Sequence, residues 1–168
     1  MSYTLPSEPS RKRVMVWRHL RKLGALYRET GIWFLPRTDA LIVAVKPIIA
    51  EIAEMDGKVD AFIANDIDPA QGIELRHAFN AARSGEYNDL LVKCRRFVDH
   101  VARFANADDF AFANVEELEE DLEKRRRTLV QLIGRDAFGV EERYQAEAAI
   151  KECEEALAGF IEQASLAG

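Results

Sequence analysis

Hydrophobic positions change their period once along this chain of 168 residues. Over residues 2–65, short β-rich runs interleave with stretches in which apolar side chains recur every three or four positions; beyond about residue 70 only the helical period remains. "SYTL" (2–5) is a strand candidate, and "PSEPS" after it supplies helix-capping serines, Ser7 or Ser10. The pattern is then helical to Leu23, and Gly24 suits the position just past a helix end. "ALYRE" and "GIWFLPR" are strand-like, and Thr30-Gly31 between them signals a hairpin. Asp39 is a candidate cap for a helix over 40–56, with Pro47 a source of kinking and Asp56-Gly57 as its stop. "KVDAFIAN" (58–65) reads as another strand.

The predicted fold class is α+β: a ferredoxin-like βαββαβ core over residues 1–66, followed by an all-helical extension over 67–168 packed on it as a single compact body. The first strand, central in such a sheet, has almost nothing before it. In the extension the spacing predicts helices over about 70–83 and 86–105, then a looser "NADDFAFAN". A charged helix follows over 115–134, with Val115, Leu118, Leu122, Leu129 and Ile133 on one stripe. The last, about 140–165, carries Ala146, Ile150, Cys153, Leu157, Phe160 and Ala164 on one face. Gly134 and Gly139 bracket the turn between them, which predicts an antiparallel helical hairpin.

Composition narrows the class. With 48% hydrophobic and 31% charged residues the chain reads as a soluble globular protein. The start "MSYTLPSEPSRKR" lacks the apolar stretch of a signal peptide, and "ALIVAV" (40–45) is too short to span a bilayer. Two cysteines, Cys94 and Cys153, lie far apart without CxxC spacing, which points to a reduced, cytoplasmic protein with buried free thiols; a bridge between them is the alternative.

Charge changes the picture more. The chain carries −6 overall, yet residues 1–37 hold eight Lys/Arg against two acids and the remainder 15 against 27. The cations concentrate in "RKRVMVWRHLRKLG" (11–24). On a wheel of about 100° per residue, Val16, Leu20 and Leu23 share one arc, with Trp17 at its edge. Arg11, Arg18, Arg21 and Lys22 gather on the far side, flanked by His19 and Lys12, and Arg13 lies nearer the apolar edge. Arginine forks donate paired hydrogen bonds to phosphate and other oxyanions, and a helix N-terminus adds free N–H groups. The plain alternative is a solvated helix back whose stems cover apolar neighbours.

The run "LPSEPSRKRVMVWRHLRKLGALYRETGIWFLP" (5–36) resembles the N-terminal domain of the ChrB family of chromate-resistance regulatory proteins. The matching residues are Leu5, Pro6, Ser7, Arg13, Trp17, Arg18, Leu20, Leu23, Gly24, Gly31, Ile32, Trp33, Leu35 and Pro36. "HAFNAARSGEYNDLL" (77–91) is similar to the family's F-x-x-A-R-x-x-[ED]-Y-x-x-L helix, and the likeness extends to about residue 160. The resemblance implies a chromate-responsive regulator of an efflux gene. The resemblance implies that full-length members append a chromate-resistance domain, and no such domain is expected within residues 1–168. The hairpin phrase also resembles the ferredoxin-like domain of phenylacetate-type repressors and small CRISPR-associated nucleases.

The preferred expectation is therefore a non-catalytic cytoplasmic regulator without cofactor or metal. Arg11, Arg13, Arg18, Arg21 and Lys22 would contact DNA, chromate or another oxyanion; a homodimer is expected and no membrane partner. One alternative is a metal-dependent nuclease of ferredoxin-like fold. Such enzymes carry a carboxylate at the end of the first strand, where this chain reads Thr4-Leu5-Pro6-Ser7, leaving Asp39 and Asp60 to supply oxygens from elsewhere. Another is a structural interaction module whose basic helix docks on Glu116–Glu123. His19, His77 and His100 show no zinc spacing, and GxSxG, P-loop and GxGxxG phrases are absent. Cys94, before Arg95 and Arg96, is a candidate redox thiol, but its stripe with Leu90, Leu91, Phe97 and Val101 favours an inert buried one.

Overall fold

The computed structural model describes residues 1–6, 10–28 and 30–167. Among the described residues, five helices and two small antiparallel sheets make a mixed, mostly helical protein. The elements are β1 (Ser2–Thr4), α1 (Ser10–Lys22), β2 (Leu26–Arg28), β3 (Ile32–Phe34), α2 (Asp39–Glu54), β4 (Lys58–Asp60), α3 (Pro69–Asn106), α4 (Phe112–Arg135) and α5 (Glu142–Ala167). The chain divides into two compact units, Met1–Glu74 and Leu75–Gly168, and the division falls within α3.

In the first unit the β-α-β-β-α-β order is as the pattern predicts. β1 pairs with β4 (Tyr3 opposite Val59) and β2 with β3 (Tyr27 opposite Trp33), which gives two two-stranded sheets where one four-stranded sheet was expected. Each strand holds three residues, and the predicted strand 58–65 ends at Asp60: "AFIAN" carries Phe62 and Ile63 exposed, so no apolar face holds it in a ladder. Met1 and Trp33 exchange hydrogen bonds, Trp33 N–H to the Met1 carbonyl at 2.7 Å and the Met1 amine to the Trp33 carbonyl at 2.9 Å. Val16, Leu20, Ala25, Trp33, Ile48, Ile52 and Met55 form the core of this unit.

Turn chemistry follows the sequence with one correction. After α1 the Gly24 N–H bonds the Arg21 carbonyl at 2.9 Å and the Ala25 N–H the Leu20 carbonyl at 3.0 Å, with Gly24 at φ +79°. That is the Schellman ending, and it requires a residue at ease in the left-handed region. The cap of α2 is Thr38, whose Oγ1 accepts from Leu41 N–H at 3.2 Å, and not Asp39, which sits in the first turn. Asp39 placed there still favours the positive helix end. α2 runs unbroken through Pro47. Of the serines proposed to cap α1, Ser7 and the side chain of Ser10 lie outside the described residues.

The helices predicted over 70–83 and 86–105 are one 38-residue helix, α3, most of which belongs to the second unit. Ser84-Gly85 reads as a break, but a helical glycine costs only about 1 kcal/mol. Against that cost stands an unbroken buried stripe of Phe79, Arg83, Tyr87, Leu90, Cys94, Phe97 and Val101 at three- and four-residue spacing. α4 and α5 form the predicted antiparallel hairpin: Phe110, just before α4, meets Phe160 with ring centroids 5.3 Å apart, and farther along α4 Arg126 meets Glu154. The α4 stripe is shifted by one position at its end, with Leu132 buried and Ile133 only partly so. On α5, Ala146, Ile150, Cys153, Leu157 and Phe160 are buried as predicted.

Candidate functional site

Val16 and Leu20 of α1 are fully buried and fix the helix on the first unit's core, so the opposite side must face outward. His19 Nδ1 lies 2.9 Å from Glu51 Oε2 and ties α1 to α2 along one flank. With the rotation so fixed, Arg11, Arg13, Arg18, Arg21 and Lys22 are all exposed. Arg13, placed by the wheel near the apolar edge, is exposed with the rest, and Lys12 is half-buried.

Among the described residues none of these five cations is in an ion pair. The reason is local. "SRKRVMVWRHLRK" (10–22) contains no acid, so the helix itself offers no carboxylate at i±3 or i±4 to neutralise them. On the same helix Trp17 is 48% exposed, and the Arg21 guanidinium lies 5.7 Å from its ring centroid. Val14 and Met15 are also exposed among the cations. The sequence reading passed over both, although the wheel puts them on the outward side. The face is therefore cationic with an apolar and aromatic admixture, suited to an anion that carries a stackable or apolar part.

The "FNAARSGEYNDLL" phrase of α3 has a packing role. Glu86 accepts from Arg83 at 3.3 Å and pairs with Arg135 at 3.4 Å, and Ser84 Oγ donates to Glu142 at 2.9 Å. The Tyr87 hydroxyl faces Asp136, whose carboxylate also accepts the Gly139 and Val140 N–H groups at 2.9 and 3.1 Å. Burial, with the Asp136 carboxylate beside it, pushes the Tyr87 phenol up to about 12. These residues brace α3 against the α4–α5 turn.

The carboxylates considered for a metal site fall in the first turn of α2 (Asp39) and at the end of β4 opposite Ser2 (Asp60). Among the described residues no group of three or more His, Cys, Asp or Glu side chains is placed to hold a metal ion. Three of the six acids of α4 are engaged along their own helix, Glu120 and Asp121 with Lys124, Asp121 with Arg125, and Glu123 with Arg126 and Arg127. Among the described residues no helix is long and apolar enough to cross a membrane.

The family described as "Protein ChrB, N-terminal" matches residues 13–167. The chain belongs to the ChrB N-terminal family. Protein ChrB of Cupriavidus metallidurans is 31% identical over 90 residues, an alignment that takes in 54% of this chain and 27% of that protein. No solved structure matches. The ChrB match begins at Arg13 and includes the cations at 13, 18, 21 and 22, together with the bracing phrase on α3.

Proposed function

We propose that this chain is a non-catalytic regulatory module of chromate resistance whose α1 face docks on the phosphate backbone of DNA. One observation carries the reading: five exposed cations on one helix are left without an ion pair among the described residues, beside a half-exposed tryptophan. From Arg11 to Lys22 the helix advances about 16 Å at 1.5 Å per residue, enough to address several consecutive phosphates. The four arginines suit phosphate oxygens through paired N–H donors, and the lysine adds a point charge. The strand pairs β4–β1 and β3–β2, with Met1 and Trp33 bonded across the gap, support a ferredoxin-like arrangement in strand order 4-1-3-2. A homodimer would present two such faces.

The test is fluorescence anisotropy with a labelled duplex from the promoter region beside the protein's own coding sequence. With four to five phosphates neutralised, affinity should fall about 100-fold or more between 50 and 200 mM salt. Arg18→Glu combined with Lys22→Glu should abolish binding while the circular dichroism spectrum is kept. Undiminished binding by the double variant would reject the reading.

A second reading, an oxyanion such as chromate held by the same arginines, rests on the same unpaired charge. It predicts that chromate, and neither sulfate nor phosphate, raises the melting temperature of the free chain.

A further inference from the structure

The two cysteines, 59 positions apart in sequence, meet between α3 and α5. The Cys153 thiol points at the Cys94 carbonyl oxygen, 3.6 Å away, and is in hydrogen-bond contact with the Cys94 thiol. Both are free and buried, 1% and 0% exposed, among Leu90, Phe97 and Ile150. Beside them stands Arg125, half wrapped in the helices: its Nε donates to the Lys93 carbonyl at 3.2 Å and one terminal nitrogen to the Asp121 carbonyl at 2.7 Å, with the guanidinium 4.9 Å from the Phe97 ring centroid.

We propose that Cys94 and Cys153 are a modification site, a dithiol that a peroxide-class oxidant converts to an intramolecular disulfide clamping α3 to α5. Charge and burial around the pair separate the two roles. The hydrogen bond from Cys153 and then the Arg125 charge lower the Cys94 thiol, against burial and Glu152. The same contact and burial raise Cys153. Cys94 is therefore the sulfur that reacts first. Its thiolate attacks one oxygen of hydrogen peroxide, the O–O bond breaks, and the displaced hydroxide takes up a proton as water, leaving a sulfenic acid. The Cys153 sulfur then attacks the Cys94 sulfur, the S–O bond breaks, and the hydroxyl leaves with the Cys153 proton as a second water. Two thiols and one peroxide give one disulfide and two waters; the sulfurs together lose two electrons and the peroxide gains them. Because both thiols are closed off from solvent, the reaction waits on local opening of the α3–α5 contact, so it is slow and requires a small oxidant.

The bridge would close a loop of about 60 residues that contains α4, a constraint on the unfolded chain. The experiment is exposure of the folded full chain to hydrogen peroxide, followed by quenching, intact mass and peptide mapping without reductant. The expected product is a monomer lighter by two hydrogens, with both thiols lost together, a peptide pair joining positions 94 and 153, and reversal by dithiothreitol. Its melting temperature should rise by about 5 °C or more. Cys153→Ser should stop at oxygen adducts on Cys94 and gain no thermal stability. The proposal is overturned if the wild-type chain gains oxygen without losing two hydrogens. It is equally overturned if both thiols stay titratable in the folded chain under conditions that oxidise the urea-unfolded chain fully. Neither result touches the DNA reading, since the dithiol lies in the second unit and the α1 cations in the first.

Discussion

Met1–Glu74 carries ten Lys/Arg and ten Asp/Glu, and Leu75–Gly168 carries thirteen and nineteen. The more nearly balanced unit is nevertheless the one whose cations are left over. In the second unit most basic side chains find an acid one turn away or on the facing helix, as Lys124, Arg126 and Arg143 do. In the first, Arg28 with Glu74 and His19 with Glu51 are the pairs among the described residues, and Arg11, Arg13, Arg18, Arg21 and Lys22 enter none of them. Order along the chain, and not net charge, produces the difference. Acid precedes base at four-residue spacing in "EELEEDLEKRRR", whereas "SRKRVMVWRHLRK" has no acid to offer. Charge in the second unit is spent on holding helices in register, and charge in the first remains available to a partner.

The core sizes run the same way. Among the described residues, fourteen buried ones make the second unit's core and seven the first unit's. The largest effect on stability should therefore come from the helical unit: Phe97→Ala, deleting a 1% exposed ring from the α3 stripe, should cost about 3–5 kcal/mol in urea unfolding. If that variant unfolds with an unchanged midpoint, the second unit is not the stabilising one and the comparison fails.

The next effect is on pH. The Tyr87 phenol is fully buried and raised to about 12, against about 10 in an unfolded chain. A group raised in the folded state contributes stability that is complete below pH 10 and is lost as pH climbs through 12. The loss integrates to about 2–3 kcal/mol over that pH range. Tyr87→Phe should flatten stability between pH 10 and 12 relative to the wild-type chain, measured by unfolding across that range. A slope retained in the variant would place the titration on another group.

How much of this was legible beforehand depends on whether the signal was local. Gly24 ending α1, the Thr30-Gly31 turn, the α5 stripe and the exposure of Arg11, Arg18, Arg21 and Lys22 all follow from spacing within a few residues, and all are seen. Where the outcome turned on contacts with distant residues, the sequence pattern misled. Ser84-Gly85 looks like a helix break because its own propensity is poor, yet the stripe around it holds α3 together. "AFIAN" looks like a strand because it is β-rich, yet no partner strand reaches it. Val14 and Met15 lie on the outward side of the same wheel, a local signal that the cation pattern left unused. The meeting of Cys94 and Cys153 could not be read from spacing, since it depends on the lateral register of α3 and α5.

The smallest effects test the division of labour most directly. Arg126 reaches from α4 to Glu154 on α5 with Nε at 2.7 Å and a terminal nitrogen at 2.6 Å, a two-pronged contact at the surface. Because both partners are part-exposed, removing it should cost only about 0.5–1 kcal/mol, and less at high salt. Arg126→Ala should therefore lower the urea midpoint slightly and leave DNA affinity unchanged. Arg18→Ala should do the reverse. With no ion-pair partner among the described residues to lose, its stability should stay within about 0.5 kcal/mol of wild type, while the salt dependence of binding loses roughly one phosphate's worth of slope. Measured side by side, the two variants separate a charge used inside the molecule from one held ready for another. If Arg126→Ala weakens binding, or Arg18→Ala destabilises the fold, the charges of the two units are not divided in this way, and the α1 face must be serving the chain's own structure.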